Sequence, residues 1–294
     1  MKKFTALVAI FCSLSIFAAY SATSSPVIID NKETTNAEAG VYDVQITKTA
    51  HFPEEEIKAG MYAGKYITDL SYGNGVWALV MGKGTGYTHQ IWRTRTEFPR
   101  DEIKKGWDAN KVITTLTYGN GVWALVMSEG TGQYAQMWRT RINFPKDEIK
   151  KGWDNGKYIT TLQYCKDVWV LVMAKGTGYS QQSWVTRSYF PEDEIRDGWD
   201  DNKAITALTY GLDRWIVVFS RGSGLYSQSW RTRTRFPETE IKKGWDQSKT
   251  ISSVFYGNGV WALVLSKGSG HYAQSWRTRT RFPKDEIKKG WDSN

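Results

Sequence analysis

Residues Ile113-Thr114-Thr115-Leu116-Thr117-Tyr118-Gly119-Asn120-Gly121-Val122-Trp123-Ala124-Leu125-Val126-Met127 decide how this chain is read. The first part is rich in β-branched residues, Gly119-Asn120-Gly121 supplies Asn-Gly turn chemistry, and Val122 to Met127 is a second extended run, so the stretch predicts a β-hairpin. The second run does not alternate with polar residues, which requires apolar neighbours on both faces, as in a sheet packed face to face between two others. Downstream, Gln136 to Arg141 does alternate. Trp138 and Thr140 point one way and Arg139 and Arg141 the other, which predicts a strand nearer the rim. Pro145 suits the first turn of a short helix, with Asp147 and Glu148 at its positive end and Lys150 and Lys151 toward its negative end. Ile149 and Trp153, four apart, share the face that this helix buries.

The pattern recurs along the chain. Phe-Pro falls at Phe52-Pro53, Phe98-Pro99, Phe144-Pro145, Phe190-Pro191, Phe236-Pro237 and Phe282-Pro283, 46 residues apart each time. All 15 tryptophans obey the same period, in the series that begin at Trp77, Trp92 and Trp107. Three strands and a helical turn are too little to bury their own apolar faces, so the units must stack and share a core. The expected fold is all-β with short helical turns, built as a five-bladed β-propeller, the alternative being an open β-rich solenoid. The hairpin occurs five times and the third strand plus helix six times, because Tyr42 to Met61 is an extra half-unit with Ile46 and Met61 where Trp would stand. A degenerate end unit favours the open array. Trp291, kept at the other end, favours closure, since it would otherwise be exposed.

Lys2 and Lys3 precede an apolar stretch from Phe4 to Ala19, and Ala19-Tyr20-Ser21 offers a small-residue cleavage site. Residues 1–21 read as a signal peptide, 22–41 as a flexible lead-in and 42–294 as the repeat domain. The expected protein is secreted or periplasmic, without a transmembrane anchor. Cys12 falls in the signal, which leaves Cys165 without a disulfide partner. Cys165-Lys166-Asp167 replaces Gly-Asn-Gly, so this turn should be distorted, near the surface, with a slowly reactive thiol. The 39 basic and 30 acidic residues give a net charge of +9, spread over every repeat. Export argues against nucleic acid as partner, whereas a diffuse positive field attracts an anionic polymer or envelope surface without a specific site.

Tyr118 through Ser128, Gly176-Thr177-Gly178-Tyr179-Ser180-Gln181-Gln182, and Phe144-Pro145 through Ile149 to Trp153 resemble the repeats that follow the kinase domain in plant casein-kinase-I-like kinases. The resemblance covers roughly residues 42 to 294. No kinase domain accompanies the repeats here, so it implies a non-catalytic interaction module.

The candidate binding surface is the loop before each third strand: Gly84-Thr85-Gly86, Gly130-Thr131-Gly132, Gly176-Thr177-Gly178, Gly222-Ser223-Gly224 and Gly268-Ser269-Gly270. No helix follows it, which argues against a phosphate cradle. Tyr87, Tyr134, Tyr179, Tyr226 and Tyr272 are candidate stacking platforms, with Gly132, Gly224 and Gly270 letting a ligand approach the backbone. The alternative is a plain turn with solvent-facing tyrosines. Gln90, Gln136, Gln182, Gln228 and Gln274 precede a tryptophan by two, and their amides are expected to satisfy loop backbone. Arg95, Arg141, Arg187, Arg233 and Arg279 read as structural ion pairs with helix carboxylates, or else as a ring for an anionic ligand. A single active site should break the repeat symmetry, which leaves Asp69, Asp167, Asp213, His89, His271 and Cys165 as candidates, with no motif naming a reaction. The sequence thus predicts no catalytic residues, no metal site and no cofactor. It predicts a lectin-like repeat protein with weak, multivalent loops for glycans or cell-envelope components. A protein-protein scaffold is the alternative, and an enzyme a lesser one.

Overall fold

The structure, a computed structural model, describes residues 42–268 and, as a strand backbone only, 272–278. The expectations for residues 1–41, Gly270, His271, Arg279 and Trp291, and for the Tyr272 side chain, lie outside the described residues.

Five three-stranded antiparallel sheets repeat along the chain, each completed by a strand from the unit before it. Sheet one holds β1 (Tyr42–Thr49), β2 (Tyr66–Gly73) and β3 (Val76–Lys83). Sheet two holds β4 (Gln90–Arg95), β5 (Val112–Gly119) and β6 (Val122–Ser128). Sheet three holds β7 (Tyr134–Arg141), β8 (Tyr158–Cys165) and β9 (Val168–Lys175). Sheet four holds β10 (Gln181–Arg187), β11 (Ala204–Gly211) and β12 (Arg214–Arg221), and sheet five β13 (Tyr226–Arg233), β14 (Thr250–Gly257) and β15 (Val260–Lys267). The unalternating apolar strand, β3, β6, β9, β12 or β15, is central in every sheet, as its sequence requires.

The short helices α1 (Glu54–Tyr62), α2 (Arg100–Asp108), α3 (Lys146–Asp154), α4 (Glu192–Asp200) and α5 (Glu238–Asp246) connect one sheet to the next. Each starts one residue later than expected, with the proline as N-cap. Ile57, Ile103, Ile149, Ile195 and Ile241 point inward and are fully buried.

The cores lie between consecutive sheets. Trp77, Leu79 and Met81 of sheet one pack with Ala124 and Val126 of sheet two, and Trp123 and Leu125 of sheet two with Val170 and Val172 of sheet three. Trp77, Trp123, Trp169, Trp215 and Trp261 are the largest fully buried side chains. Each meets the Phe of the helix entry edge-on, as in Phe98–Trp123 at 5.1 Å between ring centroids.

The sheets follow one another round a circuit. β2 lies beside β5, β5 beside β8, β8 beside β11, β11 beside β14, and β14 beside β2. The last contact has its own core, in which Val44, Ile46 and Val80 of sheet one pack with Ile251, Trp261 and Leu263 of sheet five. Lys48 bridges to Glu238 at 3.3 Å across the same junction. The extra half-unit thereby acquires a role: β1 is the third strand of sheet one. β16 (Tyr272–Thr278), the same strand five repeats later, finds that place taken and pairs parallel outside β1, Ile46 opposite Trp276.

The turn at Cys165 differs from the expectation. Lys166 and Asp167 take φ of 48° and 61°, matching Leu212 and Asp213 at 50° and 57°, and Cys165 pairs with Val168 as Gly119 pairs with Val122. The two-residue turn is therefore kept without Asn-Gly, because the strands on either side impose its twist.

Candidate functional site

Each described loop before a third strand is fixed by its own hydroxyl. Thr85, Thr131, Thr177 and Ser223 accept a hydrogen bond from the backbone N–H two residues on, at 3.1 to 3.3 Å. The residue that donates this bond is turned inward, so Tyr87 and Tyr179 are each only 6 % exposed and meet Tyr66 and Tyr158 edge-on. These two tyrosines therefore cannot act as stacking platforms, because burial removes the ring faces. At the next position Tyr134 and Tyr226 are 59 % and 61 % exposed.

Gly132 and Gly224 have φ of 72° and 74°. Their carbonyl oxygens abut Gly176 and Gly268 of the following loop, where a Cβ would collide with them. Close packing between neighbouring loops thus requires the glycines Gly176 and Gly268.

The glutamines are structural, as expected, though the backbone they satisfy is a bulge and not the loop. Each first strand shifts register once, between Ile67 and Asp69 in β2 and between Ile113 and Thr115 in β5. Gln90 repairs the first shift: its Oε1 accepts from Ile67 N at 2.7 Å and its Nε2 donates to Ile67 O at 2.9 Å. Gln136, Gln182 and Gln228 do the same at Ile113, Ile159 and Ile205, and each also accepts from a helix tryptophan, as from Trp107 Nε1 at 3.1 Å. The arginines are likewise engaged. Arg95, Arg141, Arg187 and Arg233 pair with Glu102, Glu148, Glu194 and Glu240 of the following helix.

Two open grooves lie along these third strands. One of about 510 Å³ runs along Ala135, Arg139, Arg141, Lys151, Lys157 and Lys175; its carboxylate, Glu148, is committed to Arg141. The other, about 300 Å³, is lined by Tyr226 and Ser227 together with Trp199 and Lys203.

The family described as a domain of unknown function, DUF7477, matches residues 40–215 and again 146–294. The chain belongs to this family. The two matches overlap, as an array of equivalent units allows. No curated protein and no solved structure shows significant similarity to the chain.

The symmetry-breaking residues of this DUF7477 chain stand apart from one another. Among the described residues no hydrogen bond or ion pair joins any two of Asp69, His89, Asp167, Asp213 and Cys165. Asp167 and Asp213 sit in exposed hairpin turns, and His89 in an exposed loop. Asp69 is fully buried at the β2 bulge. Burial raises its carboxyl well above the usual range, although Leu70 N–H donates to it at 2.8 Å. Cys165 packs against the core around Trp123 and Val170, and burial pushes its thiol up to about 12. Among the described residues no group of three His, Cys, Asp or Glu could hold a metal ion, and no helix is long and apolar enough to cross a membrane.

Proposed function

We propose that the chain is an exported five-bladed β-propeller that binds glycans or cell-envelope polymers weakly and multivalently. The five-unit circuit supports the architecture, and the charged start followed by the apolar run from Phe4 to Ala19 supports export.

One observation carries the binding reading. The described tryptophans are buried or half-buried in the cores, whereas Tyr134 and Tyr226 expose most of their rings at equivalent places, Tyr226 lining an open groove and Tyr134 preceding Ala135, which lines another. An exposed ring beside hydrogen-bonding groups can stack on a sugar face. Linking two or more such sites raises attachment to a repetitive polymer above either site alone. The test is retention on immobilised polysaccharides of the wild type, of Tyr134→Ala and Tyr226→Ala singly, and of the double variant. The double variant should lose much more retention than either single variant while its unfolding midpoint is unchanged. Unchanged retention of the double variant contradicts the reading and turns the search toward protein partners.

A further inference from the structure

The 46-residue period places a matched trio of residues in sheets one, three and five: Asp43, Lys65 and Lys83; Ala135, Lys157 and Lys175; Ser227, Lys249 and Lys267. The backbone is the same in all three. Asp43, Ala135 and Ser227 have φ of 49°, 49° and 51°, and each lies in a bulge that opens after Tyr42, Tyr134 or Tyr226. In sheet one the Asp43 carboxylate lies between both ammonium groups, 2.9 Å from Lys65 Nζ and 3.2 Å from Lys83 Nζ. Sheets three and five carry a methyl and a hydroxymethyl in its place. Among the described residues, no carboxylate lies within ion-pair distance of Lys157, Lys175, Lys249 or Lys267.

The intervening sheets neutralise the corresponding cations by other means. Lys111 pairs with Glu129 at 2.5 Å, and Lys203 and Arg221 share Asp201 at 2.8 and 3.7 Å. Sheets three and five are thus the exceptions. Lys249 carries the mark of this: burial, then Lys267 and Arg231 nearby, lower its affinity for a proton, and its one hydrogen-bond partner among the described residues is the neutral Ser229 Oγ at 3.2 Å. At Ala135 the space is open, since Ala135, Lys157 and Lys175 all line the groove of about 510 Å³.

We infer that the lysine pairs Lys157/Lys175 and Lys249/Lys267 are two anion-binding sites, each taking a carboxylate or sulfate group of a ligand where Asp43 puts its own carboxylate in sheet one. The exposed tyrosine is part of the same site, for Tyr134 is the cross-strand partner of Lys175 and Tyr226 that of Lys267. An aromatic ring beside two ammonium groups fits an acidic sugar, a uronate or a sulfated ring. The anion site follows from the internal comparison with Asp43, and the choice of a sugar as its carrier rests on the proposed glycan binding.

Ala135→Asp with Ser227→Asp should fill both sites from within, since Asp43 adopts the same backbone conformation. Three matrices with one backbone separate the chemistries: dextran, carboxymethyl-dextran and dextran sulfate. The wild type should be retained by a charged matrix over dextran, the preferred one naming carboxylate or sulfate. The double variant should bind that matrix about tenfold or more weakly, as expected for losing two charge-assisted hydrogen bonds per site. Lys58→Gln with Lys104→Gln, an equal loss of charge on the helices, should change little, and Asp43→Ala should strengthen retention by opening a third site. Lys175→Gln with Lys267→Gln gives the same test should the aspartates impair folding.

Acylation of Lys157, Lys175, Lys249 and Lys267, with and without inorganic sulfate, is read without any glycan. Protection by sulfate without retention on any polymer upholds the anion sites and removes the glycan reading. Retention that survives Ala135→Asp/Ser227→Asp, or that falls equally in the helix control, overturns the anion sites and leaves the glycan reading standing.

Discussion

At the residue scale the side chains that look most like ligand contacts divide by a single backbone position. In the four described loops a hydroxyl pulls the first residue after Gly-Thr-Gly or Gly-Ser-Gly inward, so Tyr87 is core while Tyr134, one place further along its unit, is surface. Sequence periodicity displayed both tyrosines and could not rank them, because the deciding hydrogen bond is set by the turn and not by the tyrosine. Gln90 was legible as structural, but the bulge it repairs has no sequence signature. Replacing it by Leu strands the Ile67 N–H and C=O in a buried setting, while the Ser128 hydroxyl keeps Thr114 at 2.9 Å. Gln90→Leu should cost about 2–4 kcal/mol in urea unfolding, within the range for buried polar groups left unpaired, and a loss below about 0.5 kcal/mol would contradict the bulge-repair role. Cys165 gives a second check. Its folded thiol keeps its proton up to about 12, against about 8.5 for an unfolded cysteine. Its contribution to stability is therefore intact below pH about 8.5 and declines as pH rises from there toward the folded value. Thiol labelling of the native protein at pH 8 should be about a thousandfold slower than in denaturant, because the folded thiol keeps its proton, and rapid native labelling would contradict the raised thiol.

At the element scale the hairpins and helices were legible nearly to the residue, since Asn-Gly turns and the Phe-Pro entry recur in phase with the apolar runs. What the period concealed was ownership. The third strand of each unit completes the next unit's sheet, and a sequence repeat has no natural starting point from which to see this. The turns test how far local chemistry governs these elements. Lys166-Asp167 and Leu212-Asp213 hold positive φ without glycine, a conformation that costs a non-glycine residue on the order of 1 kcal/mol. Leu212→Asn with Asp213→Gly restores the preferred pair and also removes an exposed leucine. It should stabilise the protein by about 1 kcal/mol in chemical denaturation, less the entropy that glycine adds to the unfolded chain. Destabilisation would mean that Leu212 makes a contact that the turn depends on.

At the scale of the whole molecule, the surplus half-unit at the start of the chain is the feature that sequence reading could only pose as a conflict. It counted against closure because a degenerate end unit is what a capped open array shows. In the structure it helps to close the circuit, for β1 takes the third-strand place in sheet one and Val44 and Ile46 pack against sheet five. It also sets the pattern of charge. Asp43 arrives with the half-unit and neutralises sheet one, leaving the uncompensated lysine pairs on sheets three and five. Closure is the central claim of the architecture, and a distance tests it most directly. Lys58, Lys104 and Lys242 occupy equivalent places on α1, α2 and α5. Spin labels at 58 and 104 measure the separation of neighbouring units, and labels at 58 and 242 measure that of the first and last. The closed circuit predicts the same distance for both pairs in the full chain, whereas a 58–242 distance several times the 58–104 distance would contradict it.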